Sequence, residues 1–392
     1  MRGSDGKTRS VVTDLPGAGW DYSITRHPYH EHERPKGPHY CVYNRRLMAV
    51  CFDDHSTEDG YWRLRREAAI LHTGEFPLEF RGPDAERLLD KLFTKDITKV
   101  KPMRCGYGLA CYEDGGLLVD GVLLRRAEER FWYAQADGDF YSWARAHGSG
   151  MDVEIIDPDV FVSQIQGTNA LKILEAAAGG LPEKFTYFAV AKVDFGGQEV
   201  VISRTGYTNE LGFEFYIEPH HDADALWAHL KAAGAEHGLE IFGLDAMNIR
   251  RIEAGIQNAG SDFDMTTNPY EVGLGRFVDE DKGDFIGKAA LSTAPKGRRH
   301  WGVTCAGEPL IAGEVQVGGV RVGHVTAGAM SPYLKHGVGY VLLDQAGLDE
   351  GASVMVRCRD GSLQAGELVD PPFYDKACEI PRGKLIDIPD RS

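Results

Sequence analysis

The stretch Arg204-Thr205-Gly206-Tyr207-Thr208-Asn209-Glu210-Leu211-Gly212-Phe213-Glu214-Phe215-Tyr216 decides the reading of this chain. It begins turn-rich, and its two glycines let the backbone turn tightly or approach a ligand closely. It then runs into a strand whose alternation puts Phe213 and Phe215 on one face and Glu214 and Tyr216 on the other. A carboxylate held at a fixed spot by a rigid strand suits a ligand that presents several N–H donors. Spacing alone reads first as a hairpin with a polar outer face.

At 392 residues the chain exceeds what one core normally holds, so two or three domains are expected. Hydrophobic content of 43% and charged content of 26% are those of a soluble globular protein. No apolar run is long enough to span a bilayer, and the polar start lacks the apolar centre of a signal peptide. A net charge of −16 argues against nucleic acid as a partner, while leaving room for a local basic pocket. Seven scattered cysteines without a Cys-x-x-Cys pair read as reduced thiols in the cytoplasm.

Residues 1–38 read as an extension that wraps the body. Its His27-Pro28-Tyr29-His30-Glu31-His32 cluster has metal-ligand residue types, but no completing ligand is marked and Pro28 argues against a helix there, so no metal is expected. Residues 39–290 show mixed α and β patterning. Helices are expected over 82–93, 222–236 and 242–255, and a hairpin over 117–124 and 131–136. Ala294-Pro295-Lys296-Gly297-Arg298-Arg299 reads as a linker. The Val- and Gly-rich short strands of residues 300–384 then suggest a small β-barrel or sandwich.

In this order, several motifs together resemble the aminomethyltransferase family, the T-protein of the glycine cleavage system and its relatives. They are Phe80-Arg81-Gly82-Pro83-Asp84-Ala85, Gly115-Gly116-Leu117-Leu118-Val119-Asp120, Ile165-Gln166-Gly167 and the Arg204–Tyr216 stretch itself. Further along come Arg251-Ile252-Glu253-Ala254-Gly255, Asn268-Pro269-Tyr270-Glu271-Val272-Gly273, Lys282-Gly283-Asp284-Phe285-Ile286-Gly287 and Pro371-Pro372-Phe373-Tyr374. The similarity runs over about residues 40 to 376. It implies an α+β fold, a three-domain cloverleaf around a central folate channel with a C-terminal β-barrel, and one-carbon chemistry on tetrahydrofolate. No Gly-x-Gly-x-x-Gly fingerprint is present, so no flavin is expected.

The resemblance also implies roles. Asp120 matches the family's key carboxylate, and lies in an apolar run where an idle acid would be costly. Glu214 matches the glutamate that accepts hydrogen bonds from the pterin, and a carboxylate can take two parallel N–H donors. Tyr107, Arg204, Tyr207 and Arg251 match other folate-site positions. Arg204 serves equally to structure its turn, and Arg251 to pair with Glu253 or Asp262. Departures bear on the carbon donor. Met247, in Ala246-Met247-Asn248, stands where the T-protein pattern has an arginine. Arg250 stands at a leucine position and Tyr112 at an asparagine, making both candidates for substrate contact. Val42-Tyr43-Asn44-Arg45-Arg46-Leu47 looks more like the tetrahydrofolate-dependent demethylases. The expectation is a demethylase acting on a small methylated organic acid or methoxyaromatic compound. The alternatives are a glycine-cleavage aminomethyltransferase, which needs a lipoyl carrier protein, and a folate-independent lyase releasing formaldehyde. Neither a membrane nor a nucleic acid is expected as a partner, and the extension and Arg45-Arg46 are candidates for a homodimer contact.

Overall fold

The computed structural model describes residues 24–386 and 388. Two sheets and a barrel organise it. The larger sheet runs Val190–Asp194, Glu199–Ser203, Gly212–Ile217, Phe161–Gln166, Ala68–His72 and Leu239–Ile241, antiparallel except for the last pair. The smaller one runs Arg104–Cys111, Leu117–Ala127, Arg130–Gln135, Phe76–Arg81 and Glu154–Ile156, all antiparallel. In chain order the smaller sheet is inserted between Ala68–His72 and Phe161–Gln166 of the larger. The chain therefore crosses between sheets at Thr73-Gly74-Glu75, and the sheets meet face to face. Leu124 and Trp132 from one pack on Val162, Val201 and Tyr216 from the other, with the Trp132 and Tyr216 rings 5.5 Å apart.

Outer faces are closed by helices with the apolar spacing expected of them. Ala85–Leu92 places Leu88, Leu89 and Leu92 on the smaller sheet. Ala170–Ala178 and Ala223–Gly234 cover the larger one through Ile173, Leu174, Leu226 and Leu230. Each such fully buried side chain contributes about 2 kcal/mol. Asp222 caps the second of these, its side chain accepting from the Ala225 amide at 3.1 Å. The helix expected over 82–93 starts at Ala85, because Gly82-Pro83-Asp84 forms a turn in front of it.

The strand that carries Glu214 lies inside its sheet, paired on both sides, and all six of its residues are buried. A hairpin with a solvated outer face is therefore not what forms. Phe213 and Phe215 enter the core beneath the helices, whereas Glu214 and Tyr216 face the smaller sheet.

Beyond the linker, six strands close a barrel in the order His300–Cys305, Gly337–Leu343, Val320–Met330, Glu314–Val317, Ser353–Arg357 and Leu363–Val369. The helix Leu244–Glu253 docks on it through Ile252 against Ala327, Val338 and Tyr340. A dry charge network spans the same joint. Arg65 and Arg250 both meet Glu210 and Glu253, all fully buried, and the Tyr61, Ser331 and Tyr374 hydroxyls donate to Glu253.

Of the extension, residues 1–23 lie outside the described residues. From Thr25 on it is part of the body. Tyr29 sits in the main core, and Pro28 is followed by a single helical turn, His30–Glu33, rather than excluding one. The three histidines diverge. His27 stacks on His72 at 4.3 Å, His30 lies against Tyr40, and His32 stacks on Trp227. Among the described residues no group of three or more metal-ligating side chains forms.

Candidate active site

Where the two sheets meet, a cavity of about 370 Å³ opens, within the usual range of small-molecule sites. The smaller sheet contributes Cys105, Tyr107, Asp120 and Val122, and the larger contributes Val162 and Glu214. The Arg204–Leu211 loop adds Thr205, Gly206 and Tyr207, and the segments 255–259 and 274–277 form the opposite side. Gly206 is required by packing: a Cβ there would stand 2.3 Å from the Gln166 amide, whose Nε2 donates to the Thr205 carbonyl at 3.1 Å.

Tyr107 and Asp120 face each other from adjacent strands, the phenol donating to Asp120 Oδ2 at 2.7 Å. Burial pushes the Asp120 carboxyl up to about 6. The Tyr107 hydrogen bond opposes that rise, and Asp262 and Glu75 add to it. Glu214 Oε2 accepts from Thr205, Ser203 and Tyr216. Its carboxyl is pushed up to about 7, first by burial and then by Glu75. Tyr207 donates to the Gln257 carbonyl at 2.9 Å and so ties the hairpin loop to the opposite side. Four expected residues, Asp120, Tyr107, Glu214 and Tyr207, thus share one cavity.

The other four do not line it. Arg204 donates to the Phe185 carbonyl at 2.9 Å and the Pro381 carbonyl at 3.1 Å, and so anchors the C-terminal segment. Arg251 pairs with Asp262, which also accepts from the Asn258 amide; the pair holds the 255–259 segment in place from behind. Arg250 is consumed by the buried network with Glu210 and Glu253 and does not face the cavity. Tyr112 packs edge-on against Trp143 and closes the turn before Gly115. The two substrate candidates are therefore held elsewhere, Arg250 by ion pairs that leave its Nη1 and Nη2 without hydrogen bonds, and Tyr112 by Trp143.

Glu75 was missed. It lines the cavity from the crossover between the sheets, burial raises its carboxyl, and Oε2 has no hydrogen-bond partner. Its sequence neighbours His72, Thr73 and Glu79 are polar, so Glu75 does not stand out from its surroundings as Asp120 does. Tyr43, Lys95, Arg276 and Phe277 also line the cavity. Lys95 and Cys105 are shared with an adjoining surface groove lined by Lys99, Lys101 and Arg104, a local basic surface on an acidic chain.

A small, aromatic-walled cavity with convergent acids and a basic border is the kind of cavity that takes a small polar molecule. Comparison with known proteins is specific. Residues 30–282 match the GCVT N-terminal domain and residues 298–375 the glycine cleavage T-protein C-terminal barrel domain. An aminomethyltransferase from Alkaliphilus oremlandii is 34% identical over 346 residues, 84% of this chain and 92% of that protein. A dimethylsulfoniopropionate demethylase from Ruegeria pomeroyi is 30% identical over 336 residues, 82% of this chain and 90% of that protein. The crystal structure of glycine cleavage system aminomethyltransferase T from Bartonella henselae superposes with a TM-score of 0.80 over 90% of this chain and 99% of that one, at 24% identity, which speaks to the fold. The chain belongs to the aminomethyltransferase (glycine cleavage T-protein) family and is a one-carbon transferase. Among the described residues no helix is long and apolar enough to cross a membrane.

Proposed function

We propose that this chain transfers a one-carbon unit to tetrahydrofolate by demethylating a small methylated organic acid or methoxyaromatic compound. The observation that carries the reading is Glu214: three hydroxyls hold its carboxylate on the wall of the cavity that also contains Asp120. Such a carboxylate is built to accept the paired N–H donors of an aminopyrimidinone edge. The rings of Tyr107, Tyr207 and Phe277 offer flat faces to a bicyclic ligand, and the Lys95–Lys101 border suits a carboxylate tail. Tetrahydrofolate, when bound, supplies the nucleophilic amine. Asp120 is the fixed base that takes the proton the amine sheds, and its raised carboxyl keeps that exchange near neutral pH. Tyr107 orients Asp120. Seven free thiols among the described residues support a reducing, cytoplasmic setting.

Overall identity does not separate demethylation from aminomethyl transfer, since relatives of both names match at 30 to 36%. The choice rests on the site. Met247, where the T-protein pattern has an arginine, is buried and accepts from Gln164 Nε2, so no guanidinium is available there. The second reading is a glycine-cleavage aminomethyltransferase with a lipoyl carrier protein, favoured by the several aminomethyltransferases among the relatives.

Calorimetric titration with tetrahydrofolate tests the reading, with Glu214→Ala and Asp120→Asn beside the parent. The expected result is binding by the parent and by Asp120→Asn, and loss of at least about tenfold in affinity in Glu214→Ala. No binding by the parent would leave a formaldehyde-releasing lyase as the better account. Formation of methyl-tetrahydrofolate from methylated acids, rather than methylene-tetrahydrofolate from an aminomethyl-loaded carrier, separates the first two readings.

A further inference from the structure

The cavity wall at residues 255–259 belongs to no helix or sheet, so its shape is imposed by what holds it. The Tyr340 hydroxyl and Arg251 Nη1 donate to the Ile256 carbonyl, each at 3.3 Å. Asp262 closes the turn behind the wall, buried and outside the cavity lining. Its Oδ2 accepts from the Asn258 amide at 2.9 Å and from Arg251, and its Oδ1 accepts from the Thr326 hydroxyl at 2.8 Å. Asn258 and its neighbour Gln257 in turn hold Tyr207, whose hydroxyl donates to the Gln257 carbonyl and lies 3.5 Å from Asn258 Oδ1. Thr326 comes from the barrel, 64 positions further on, and reaches Asp262 because its strand is bulged. Val325 opposes Val341 and Ala327 opposes Tyr340, which leaves Thr326 as the extra residue. In an unbroken strand Val325 and Ala327 would share a face. Here Val325 enters the barrel core, Ala327 meets the helix Leu244–Glu253, and the bulge aims Thr326 at Asp262.

We propose, on the reading of this cavity as the one-carbon-transfer site, that Asp262 is a positioning residue and that the barrel acts through it, the Thr326 hydroxyl fixing the 255–259 wall against Tyr207 and Asp120. A wall without secondary structure holds its place only as well as its outside bonds do. Losing the Thr326 donor loosens Asp262, then the Asn258 amide bonded to it, then the support of Tyr207. Asp262 also acts through its charge. Asp120 faces the phenols of Tyr43, Tyr107, Tyr133 and Tyr207 and the carboxylates of Asp262 and Glu75. Lys95 and Arg276 line the cavity as well. Burial raises Asp120 first; among the charges Asp262 adds most, then Glu75. Around Asp262 itself stand Arg251, the Tyr207 and Tyr340 phenols and His300 of the barrel. Burial pushes the His300 ring down to about 4, so it is neutral where Asp120 titrates.

Thr326→Val removes the hydroxyl at nearly constant shape, and Thr326→Ser returns it. In Thr326→Val the Asn258 amide should exchange its hydrogen about fivefold or more faster than in the parent, with the Val303 and Val341 amides of the barrel unchanged. Calorimetric affinity for tetrahydrofolate should fall about threefold or more, and Thr326→Ser should restore both. Asp262→Asn keeps an acceptor for Thr326 and removes the charge. In the ligand-free protein, carboxyl-carbon NMR should then show the Asp120 midpoint below the parent's value of about 6. Parent-like Asn258 exchange in Thr326→Val, parent-like affinity where the parent binds, or failure of Thr326→Ser to restore them overturns the proposal. Equal loss of protection at Val303 and Val341, or an unmoved Asp120 midpoint, overturns it too. Should Asp262→Asn not fold, its Arg251 being left buried without an ion pair, the Thr326 variants decide. If the parent does not bind tetrahydrofolate, the folate reading falls, and exchange and NMR still decide the positioning role.

Discussion

The Tyr107 hydroxyl donates to Asp120 Oδ2 at 2.7 Å, and both residues line the cavity at the junction of the two sheets. The bond stabilises the ionised carboxylate against burial, and leaves it titrating near 6 instead of in the usual carboxylate range. In Tyr107→Phe the opposing hydrogen bond is gone and the carboxyl rises further. The acid limb of the rate–pH profile should then move to higher pH, which steady-state rates between pH 5 and 8 would show. An unmoved limb would mean that Asp120 does not set it.

Asp120 also burdens stability. A carboxyl raised in the folded state favours folding at low pH, and that advantage is lost as pH rises from the unfolded value of about 4 through about 6. Asp120→Asn removes the titration. It should be about as stable as the parent at pH 4 and about 1–2 kcal/mol more stable at pH 8, after discounting for the partial access of the cavity. Denaturant unfolding at the two pH values measures this. Turnover should fall about 100-fold or more in the same variant.

Glu75 and Glu214 line the same cavity. Since Glu75 is the largest charge influence on the Glu214 carboxyl, Glu75→Gln should lower Glu214 from about 7. Carboxyl-carbon NMR, or infrared difference titration, follows the displaced signal, and an unchanged Glu214 titration would show the two to be independent.

Arg250 looks like a ligand-binding cation in the sequence and acts as a structural one. Arg250→Ala leaves Glu210 and Glu253 buried with less compensation, so a loss of about 3–5 kcal/mol is expected. Thermal and denaturant unfolding record the loss. Affinity for tetrahydrofolate in the surviving folded fraction should stay within a few-fold of the parent.

Gly206→Ala tests how tightly the hairpin loop is packed. The added carbon would displace the Gln166 amide from the Thr205 carbonyl, at a cost of about 1–3 kcal/mol, and would shift Tyr207. Lower stability together with weaker ligand binding is expected, in contrast to Arg250→Ala.

These cases show why part of the site was legible and part was not. Asp120, Tyr107, Tyr207 and Glu214 lie in or beside regular strands, where alternation and local motif fix both place and direction. The arginines are harder to read, because their fate depends on carboxylates brought in by other segments: Glu210 from the hairpin loop for Arg250, and, as one of two partners the sequence offered, Asp262 for Arg251. Glu75 sits in a crossover that has no periodicity to read. In the barrel, the segment 338–343 is an apolar run that reads as a strand. Leu363–Val369, with Gly366 and Glu367 inside it, does not, although it seals the barrel against His300–Cys305.

The buried network has a consequence for how the protein comes into being. Arg65 bonds Tyr374 across 309 positions of chain, and the larger sheet pairs His72 with Ser163, 91 positions on. Contacts of such separation form late. During synthesis a chain halted before Tyr374 holds Arg65 and Glu253 without the hydroxyl that bonds them both. The joint between the helix Leu244–Glu253 and the barrel should therefore close only once Tyr374 has been made.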